Sequence, residues 1–317
     1  MNSTHHAFSS HANSTNSSRP GLVLPKVSYS MAVTWVSLTM TMTFAGTVTI
    51  ILLLTATIRY RSLRAGAGRL IAHLLCIDFF ICGITTPGYM LIIFLDLVGI
   101  PYTINCTAWV TIRMLSINVQ YWASMVLAVN RLVAIALPHH YKVWTRRSVM
   151  LAMMGMCWVI AIAINLPPLF GHAYSLGKYP PLMSCTMKPL DDMLFPIISS
   201  IGSHIPIATL SVVYIFIALY TIRLKNAVNS GKQMVRRIKV ARMLFVSFAF
   251  YFICFLPMTV LPPFFPKIIF TMPVVMLWLI ALQILGFSSS PFIFLLMNDE
   301  YRKSLRALFG GQSIHPR

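Results

Sequence analysis

Long runs of apolar residues, separated by short polar or charged segments, dominate this sequence. Seven runs occur, at residues 31–58, 70–95, 107–137, 148–170, 193–222, 243–265 and 268–297. A helix needs about 20 mostly apolar residues to cross the ~30 Å hydrocarbon core of a bilayer, and each run is long enough. The pattern therefore predicts an all-α membrane protein, built as a seven-transmembrane helix bundle.

The two ends of the chain differ from these runs. Residues 1–30 are rich in Ser, Thr, Asn and His, which predicts a disordered tail. No basic-then-apolar leader occurs there, so we expect no cleavable signal peptide. Residues 299–309 alternate apolar and basic positions with a helical period, which predicts a short amphipathic helix on the inner leaflet. The predicted domains are a tail at 1–30, the bundle at 31–298, this membrane-surface helix at 299–309 and a short cytoplasmic tail at 310–317.

The composition agrees with a membrane protein and changes how the charge is interpreted. Only 10% of the residues are charged, whereas about 25% is usual in a soluble domain. The formal net charge is +19, which in a soluble chain would suggest nucleic-acid binding. Here the basic residues lie in the short segments between apolar runs. We therefore expect membrane lipids around the chain and no nucleic-acid partner.

The distribution of Lys and Arg predicts the orientation of the chain. Alternate connecting segments carry 18 Lys and Arg residues on one side and five on the other. Because the richer side is cytoplasmic, the N-terminus is predicted to be extracellular and the C-terminus cytoplasmic. The glycosylation triplets at Asn2, Asn13 and Asn16 then face outwards. Cys106 and Cys185 also fall on the outer side, where a disulfide is possible if they pair.

Two arginines lie within the third apolar run. Arg113 and Arg131 are 18 residues apart, which is roughly 27 Å along a helix. Helical spacing also puts them on one face of the run, together with Ile117, Gln120, Ser124 and Leu127. One cation is therefore expected near each surface of the bilayer.

Several landmarks resemble those of the rhodopsin-like (class A) G-protein-coupled receptors. Cys106 opens the third run, and Asn130-Arg131-Leu132 follows where that family has Asp/Glu-Arg-Tyr. The remaining landmarks occur one or two per run, as Asp78 in the second, Trp158 in the fourth, Pro206 and Tyr214 in the fifth, Cys254-Phe-Leu-Pro257 in the sixth and Ser290-Pro291-Phe-Ile-Phe294 in the seventh. Within the family, the chain looks similar to the moody, trapped-in-endoderm and melatonin-type receptors.

The resemblance implies a receptor of the plasma membrane, without enzymatic activity, cofactor or metal. An extracellular ligand and a heterotrimeric G protein would be its partners, and a Cys106–Cys185 disulfide would join the third helix to the second outer loop. Arg131 would meet the G protein when the sixth helix swings out. The residues implied in activation are Asn130, Arg131, Tyr214, Pro257, Ser290, Pro291 and Phe294.

Some positions depart from the family pattern. Asn130 replaces the acid before Arg131, so the usual resting ion pair is absent and we expect raised basal activity. The family's sodium site would comprise Asp78, Gln120 and Ser290 here, but the latter two replace the expected Ser and Asn and leave sodium in doubt. The alternative is a protonated Asp78 hydrogen-bonded to Ser290. Phosphorylatable residues are scarce on the inner side, so arrestin binding is expected to be weak.

Arg113 occupies the position where aminergic receptors place an aspartate, which disfavours an amine ligand. A buried cation needs a partner, and two alternatives stay open. Arg113 either pairs with Asp96, Asp191 or Asp192, or binds an anionic ligand such as a carboxylate or a phospholipid head. Helix depth predicts that the ligand cavity is lined by Arg113, Asn118, Trp122, His204, Phe255, Met258 and Gln283.

Two other classes of protein are compatible with seven apolar runs. A decoy receptor would bind its ligand without coupling to a G protein, and the altered Asn130 and Phe294 make this conceivable. A transporter is the other alternative, but it would be expected to show internal repeats or a row of intramembrane acids. The sequence shows neither feature.

Overall fold

The computed structural model describes residues 27–64, 67–179, 182, 184–191, 193–227, 245–246, 249–262, 265 and 272–310. The predicted glycosylation acceptors Asn2, Asn13 and Asn16 lie outside the described residues. So do Asp192 and most of the basic segment between the fifth and sixth apolar runs.

The predicted helix bundle is confirmed. Six described helices are long and apolar enough to cross a membrane, and a shorter apolar helix supplies the sixth span. We number them as the first to the seventh span, at Tyr29–Arg59, Gly68–Val98, Cys106–Ala136, Arg147–Leu169, Leu194–Tyr220, Ala249–Pro262 and Pro273–Met297. A short helix at Pro138–Trp144 connects the third and fourth spans.

Local sequence explains where several spans begin and end. Ser28 and Asn105 cap the first and third spans, each accepting a hydrogen bond from a backbone N–H three residues later. Gly99 ends the second span with φ of 79°, a left-handed conformation that glycine adopts at little cost. The second and fifth spans each contain one wide π-helical turn, at Ile81–Thr85 and Ser200–His204.

Contacts between different spans hold the bundle together. The Trp35 side chain of the first span donates a hydrogen bond of 2.7 Å to the Leu277 carbonyl of the seventh. Deeper in the membrane, Gly46 lies so close to the seventh span that a Cβ there would be 2.8 Å from the Ser288 Cα. Between the second and fourth spans, Trp158 Nε1 donates to His73 Nε2 over 3.0 Å.

The outer surface of the bundle is apolar. Phe44, Val159 and Val212 belong to three different spans, and each leaves two thirds or more of its side chain exposed. Such a surface would be unfavourable in water, but it matches the hydrocarbon chains of a bilayer. The protein is therefore a multi-pass membrane protein.

A two-stranded hairpin covers part of the outer end and was not expected from the sequence. Strand β1 spans Tyr174–Tyr179 and strand β2 spans Ser184–Pro189, in an antiparallel register that sets Lys178 opposite Cys185. Cys185 forms a disulfide with Cys106 at the start of the third span, as the family resemblance implied. The hairpin is therefore anchored covalently to that span.

The predicted amphipathic helix is also present, at Asp299–Gly310. Its Tyr301 is buried, because the ring packs against Phe294 with centroids 4.9 Å apart and the hydroxyl lies 3.0 Å from Thr57 Oγ1. The helix is thus fixed to both the first and the seventh spans.

The close approach of the first and seventh spans yields a prediction. Gly46→Ala should lower the free energy of unfolding by about 1–3 kcal/mol, because its Cβ would meet backbone atoms that cannot move aside. Thermal unfolding of the detergent-solubilised protein measures this loss. Gly155→Ala in the fourth span is the matched control, since nothing lies within 4 Å of its Cβ. Equal stability of the two variants would contradict the prediction.

Candidate functional site

A cavity of about 480 Å³ opens in the outer half of the bundle, beneath the hairpin. Its walls come from the second to the seventh spans and from both strands. Four of the residues predicted to line it do so, namely Arg113, Asn118, Met258 and Gln283. Whether they bind a ligand stays a prediction.

Three other predicted wall residues do not line this cavity. Phe255 is fully buried below it, in face-to-face or edge-to-face contact with Tyr121, Tyr251 and Phe287. Trp122 packs against the main apolar core of the bundle instead.

His204 lies on a separate, smaller groove between the fifth and sixth spans. Its Nε2 is 3.2 Å from the Thr259 carbonyl. The three predictions placed the residues at a suitable depth, but depth does not determine which way a helix is rotated.

Tyr89, Tyr121 and Leu182 line the cavity and were missed. Tyr89 and Tyr121 are apolar enough to be taken for core residues, and both are almost fully buried. Leu182 lies between the two strands and belongs to the same buried apolar cluster as Trp35 and Leu277. Since the hairpin was not expected, no sequence signal indicated this residue.

Arg113 projects from the third span towards the second. Its guanidinium carbon lies 3.8 Å above the centre of the Tyr89 ring, a cation–π contact. Among the described residues, no carboxylate lies within ion-pair distance of Arg113 and no side chain or backbone group accepts a hydrogen bond from it. The aromatic ring covers one face of the cation, and its N–H donors remain available at the cavity wall.

Asp96 was one proposed partner of Arg113, and the structure assigns it to another cation. Its Oδ1 pairs with Lys178 Nζ at 3.0 Å, and its Oδ2 accepts a hydrogen bond of 2.5 Å from the Tyr102 hydroxyl. Lys178 also lies over the Tyr102 ring, 3.7 Å from its centre. The hydrogen bonds that join Lys178 to Tyr102 and Asp96 raise the pKa of its ammonium group.

Asp191, the second proposed partner, is engaged at the start of the fifth span. Its Oδ1 accepts hydrogen bonds from the backbone N–H groups of Met193 and Leu194, at 2.7 and 2.9 Å. The bonds from Leu194 and Met193 hold the pKa of this carboxyl below its usual range. Asp191 therefore stabilises a helix N-terminus rather than an ion pair with Arg113. The third proposed partner, Asp192, lies outside the described residues.

Polar and aromatic groups form the floor of the cavity. Gln283 Nε2 lies 3.4 Å from the Tyr121 hydroxyl, and Tyr121 in turn packs edge-to-face against Phe255 and Tyr251. This aromatic cluster connects the third, sixth and seventh spans. A ligand that touches the floor would therefore act on the helices that the resemblance implicates in activation.

The predicted sodium residues are not joined by hydrogen bonds in the described structure. Asp78 is buried and its Oδ1 has no hydrogen-bond partner there. The Gln120 carbonyl oxygen instead accepts a long hydrogen bond of 3.5 Å from Tyr251. The alternative bond from Asp78 to Ser290 is not formed among the described residues either. Sodium binding stays a prediction.

The inner end of the third span holds an unusual polar residue. Asn130 is fully buried, and neither its carbonyl oxygen nor its amide nitrogen has a hydrogen-bond partner among the described residues. Arg131 beside it lies near Tyr301. Burial raises the pKa of Tyr301, while its bond with Thr57 and the charge of Arg131 oppose that rise. No acid pairs with Arg131 in the described part of the chain.

Comparison with known proteins supplies the family. A model described as 7 transmembrane receptor (rhodopsin family) matches residues 50–292, well over half of the chain. The chain is 23% identical to the alpha-1A adrenergic receptor of Oryzias latipes over 131 residues, which cover 41% of this chain and 27% of that receptor. It is 24% identical to adenosine receptor A3 of Canis lupus familiaris over 170 residues, which cover 50% of this chain and 54% of that receptor. The chain thus spans about half or less of these relatives' length, and the matches leave the predicted subgroup untested.

The contacts of Asp96 yield a prediction that distinguishes Lys178, its ion-pair partner, from Arg113. A double-mutant cycle with Asp96→Asn and Lys178→Met should give a coupling of up to about 1 kcal/mol, small because solvent screens a lysine whose side chain is 41% exposed. The same cycle with Asp96→Asn and Arg113→Gln should give a coupling near zero. Thermal unfolding of the three single variants, the two double variants and the parent measures both couplings. A larger coupling for Arg113 than for Lys178 would show that Arg113 is the partner of Asp96.

Proposed function

This chain belongs to the rhodopsin family of seven-transmembrane receptors, and we propose that it transmits the binding of an extracellular anionic ligand to a heterotrimeric G protein. We place it in the plasma membrane with its N-terminus outside. Lys and Arg are in excess at one end of the spans, which is the end expected in the cytoplasm. The disulfide lies at the other end, as expected for the outer side of the membrane.

One observation carries the ligand class, namely the unpaired guanidinium of Arg113 at the cavity wall. A partly buried cation is costly unless charge or hydrogen bonds compensate for lost water. Tyr89 supplies only a cation–π contact, while the nearby carboxylates Asp96 and Asp191 are engaged elsewhere. A carboxylate or phosphate would provide the missing acceptors, and an arginine can bind either group with two parallel hydrogen bonds.

The positive charge of Arg113 disfavours an amine as the ligand. Two like charges about 4 Å apart repel each other by about 4 kcal/mol at an effective dielectric constant near 20. That penalty corresponds to roughly a thousandfold in affinity. An amine would also leave the guanidinium donors without acceptors.

The remaining walls indicate that the ligand has an apolar body. Val110, Met114, Ile117, Leu182 and Met276 all contribute apolar side chains to the cavity. Its volume of about 480 Å³ falls within the range of small-molecule sites. An amphiphilic anion therefore fits both the charge and the lining better than a small inorganic ion.

Binding of matched probes tests this ligand class. Dodecanoate should raise the unfolding temperature of the purified receptor more than dodecan-1-ol or dodecylammonium at equal concentration. Arg113→Gln should weaken dodecanoate binding about tenfold or more, since hydrogen bonds between charged groups contribute about 1.5–3 kcal/mol. Lys188→Gln is the matched control, because Lys188 is an exposed cation of strand β2 that does not line the cavity, and it should change binding little. Stronger binding of the amine, or full binding of dodecanoate by Arg113→Gln, would refute the proposal.

The inner end of the third span supports coupling to a G protein from a resting state that is only weakly stabilised. The buried Asn130 cannot form the ion pair with Arg131 that an acid would form, and its own carboxamide finds no partner among the described residues. Each unsatisfied buried group costs about 1–3 kcal/mol, so this packing is less stable than a paired one. A rearranged inner end that satisfies Asn130 would be favoured by that amount, and this supports raised basal activity.

Measurement of G-protein activation without ligand tests the predicted raised basal activity. The parent should activate a G protein without ligand, Asn130→Asp should lower that activity by restoring an acid beside Arg131, and Arg131→Ala should remove it. A dissociation assay run with each class of heterotrimeric G protein, at equal surface expression, provides the measurement. If neither the parent nor any variant activates a G protein, with or without dodecanoate, the chain is a decoy receptor that binds without coupling.

A further inference from the structure

We infer that the ligand has two polar ends, with its anionic group at Arg113 and a second hydrogen-bonding group at Asn118, joined by an apolar segment. This inference rests on the proposed function and specifies the shape of the ligand. It starts from Asn118, which is 5% exposed and lines the cavity. Among the described residues, its carboxamide neither donates nor accepts a hydrogen bond.

Arg113 and Asn118 belong to the same helix, but their side chains face different sides of the cavity. The guanidinium of Arg113 lies over Tyr89 of the second span. The carbonyl oxygen of Asn118 faces Gly202 of the fifth span, where a Cβ would lie 3.0 Å from it. Five residues along a helix correspond to a turn of about 140° beyond one full rotation, so these contacts agree with helix geometry.

Gly202 keeps the second polar group accessible. It lies within the π-helical turn at Ser200–His204, and such a turn displaces the backbone locally. Because glycine has no side chain, the Asn118 carboxamide remains at the wall of the cavity instead of being pressed against a methyl group. A Cβ at position 202 would lie 3.0 Å from the Asn118 carbonyl oxygen, which would have to shift by a few tenths of an ångström, and in ordinary contact with Ile164 at 3.6 Å. Gly202 is therefore a specificity-determining position that acts through Asn118.

Helix dimensions limit the length of the ligand. The two Cα atoms are roughly 9 Å apart, and extended side chains place the guanidinium and the carboxamide on the order of 10–14 Å apart. About 3 Å at each end is taken up by hydrogen bonds, which leaves roughly 4–8 Å between the polar atoms of the ligand. An apolar chain of a few carbon atoms, or a ring system of that width, spans this distance.

The test compares alkanoates with ω-hydroxyalkanoates of the same length, from about four to twelve carbon atoms, a range that includes the expected length and extends well beyond it. Binding to the full-length receptor is measured by competition or by thermal shift. In the parent, the terminal hydroxyl should increase affinity about 3- to 10-fold at one narrow range of chain lengths, as one additional hydrogen bond would. Asn118→Leu should abolish that gain, measured as the ratio of the two affinities at each chain length, and saturable binding of the plain alkanoates shows that this variant is folded.

Two further variants separate the possible failures. Gly202→Ala should reduce the hydroxyl gain, measured as the same ratio of affinities, whereas Arg113→Gln should weaken both series equally. A hydroxyl gain that does not depend on chain length, or that persists in Asn118→Leu, overturns the second contact but leaves the anion site in place. If no alkanoate binds through Arg113, the proposed function fails, and the two-ended ligand fails with it.

Discussion

The bilayer offers no water to hydrogen-bond with polar groups, so each polar side chain in the bundle must find its partner within the protein. Many polar side chains meet this constraint within their own helix. Thr39, Thr43 and Thr57 each donate to the carbonyl four residues earlier, over 2.7 Å. Others meet it between spans, as Trp35 does with the Leu277 carbonyl. A buried polar group that lacks such a partner is therefore destabilising, by about 1–3 kcal/mol, and calls for an explanation.

Among the groups that lack a hydrogen-bond partner in the described structure, four lie at three depths. Arg113 and Asn118 lie at the outer cavity, Asp78 in the middle of the second span, and Asn130 at the inner end of the third. Between the first and second levels lies the aromatic cluster around Phe255, so close-packed that a Cβ on Gly286 would come within 2.5 Å of that ring. Packed elements of this kind move between discrete arrangements rather than deforming gradually. A ligand that satisfies the outer groups can therefore favour one arrangement throughout the bundle.

The length and apolar composition of the runs predicted the helices, because each span must be long and apolar whatever its neighbours are. The Cys106–Cys185 bond followed from resemblance to a family, and the structure contains it. The rotation of each helix about its own axis was harder to predict from the sequence. Phe255 and Trp122 were predicted at the cavity and belong to the core, since depth in the membrane says nothing about which neighbour a residue faces. The hairpin was missed as well, because the preference of a segment for a strand depends on how its side chains pack against their neighbours, which the sequence alone does not show.

The choice of partner for Asp96 shows how contacts between distant parts of the chain decide the chemistry of the cavity. Two cations, Arg113 and Lys178, are candidates for one carboxylate, and their order in the sequence does not favour either. The hairpin register places Lys178 opposite Cys185, and the disulfide ties Cys185 to Cys106 at the head of the third span. This covalent connection brings Lys178 to Asp96. A slip of one residue in the register would turn Lys178 to the other face of the hairpin and leave Asp96 without it. The disulfide thus does more than brace the outer end, because by assigning Asp96 to Lys178 it leaves Arg113 available for an anion.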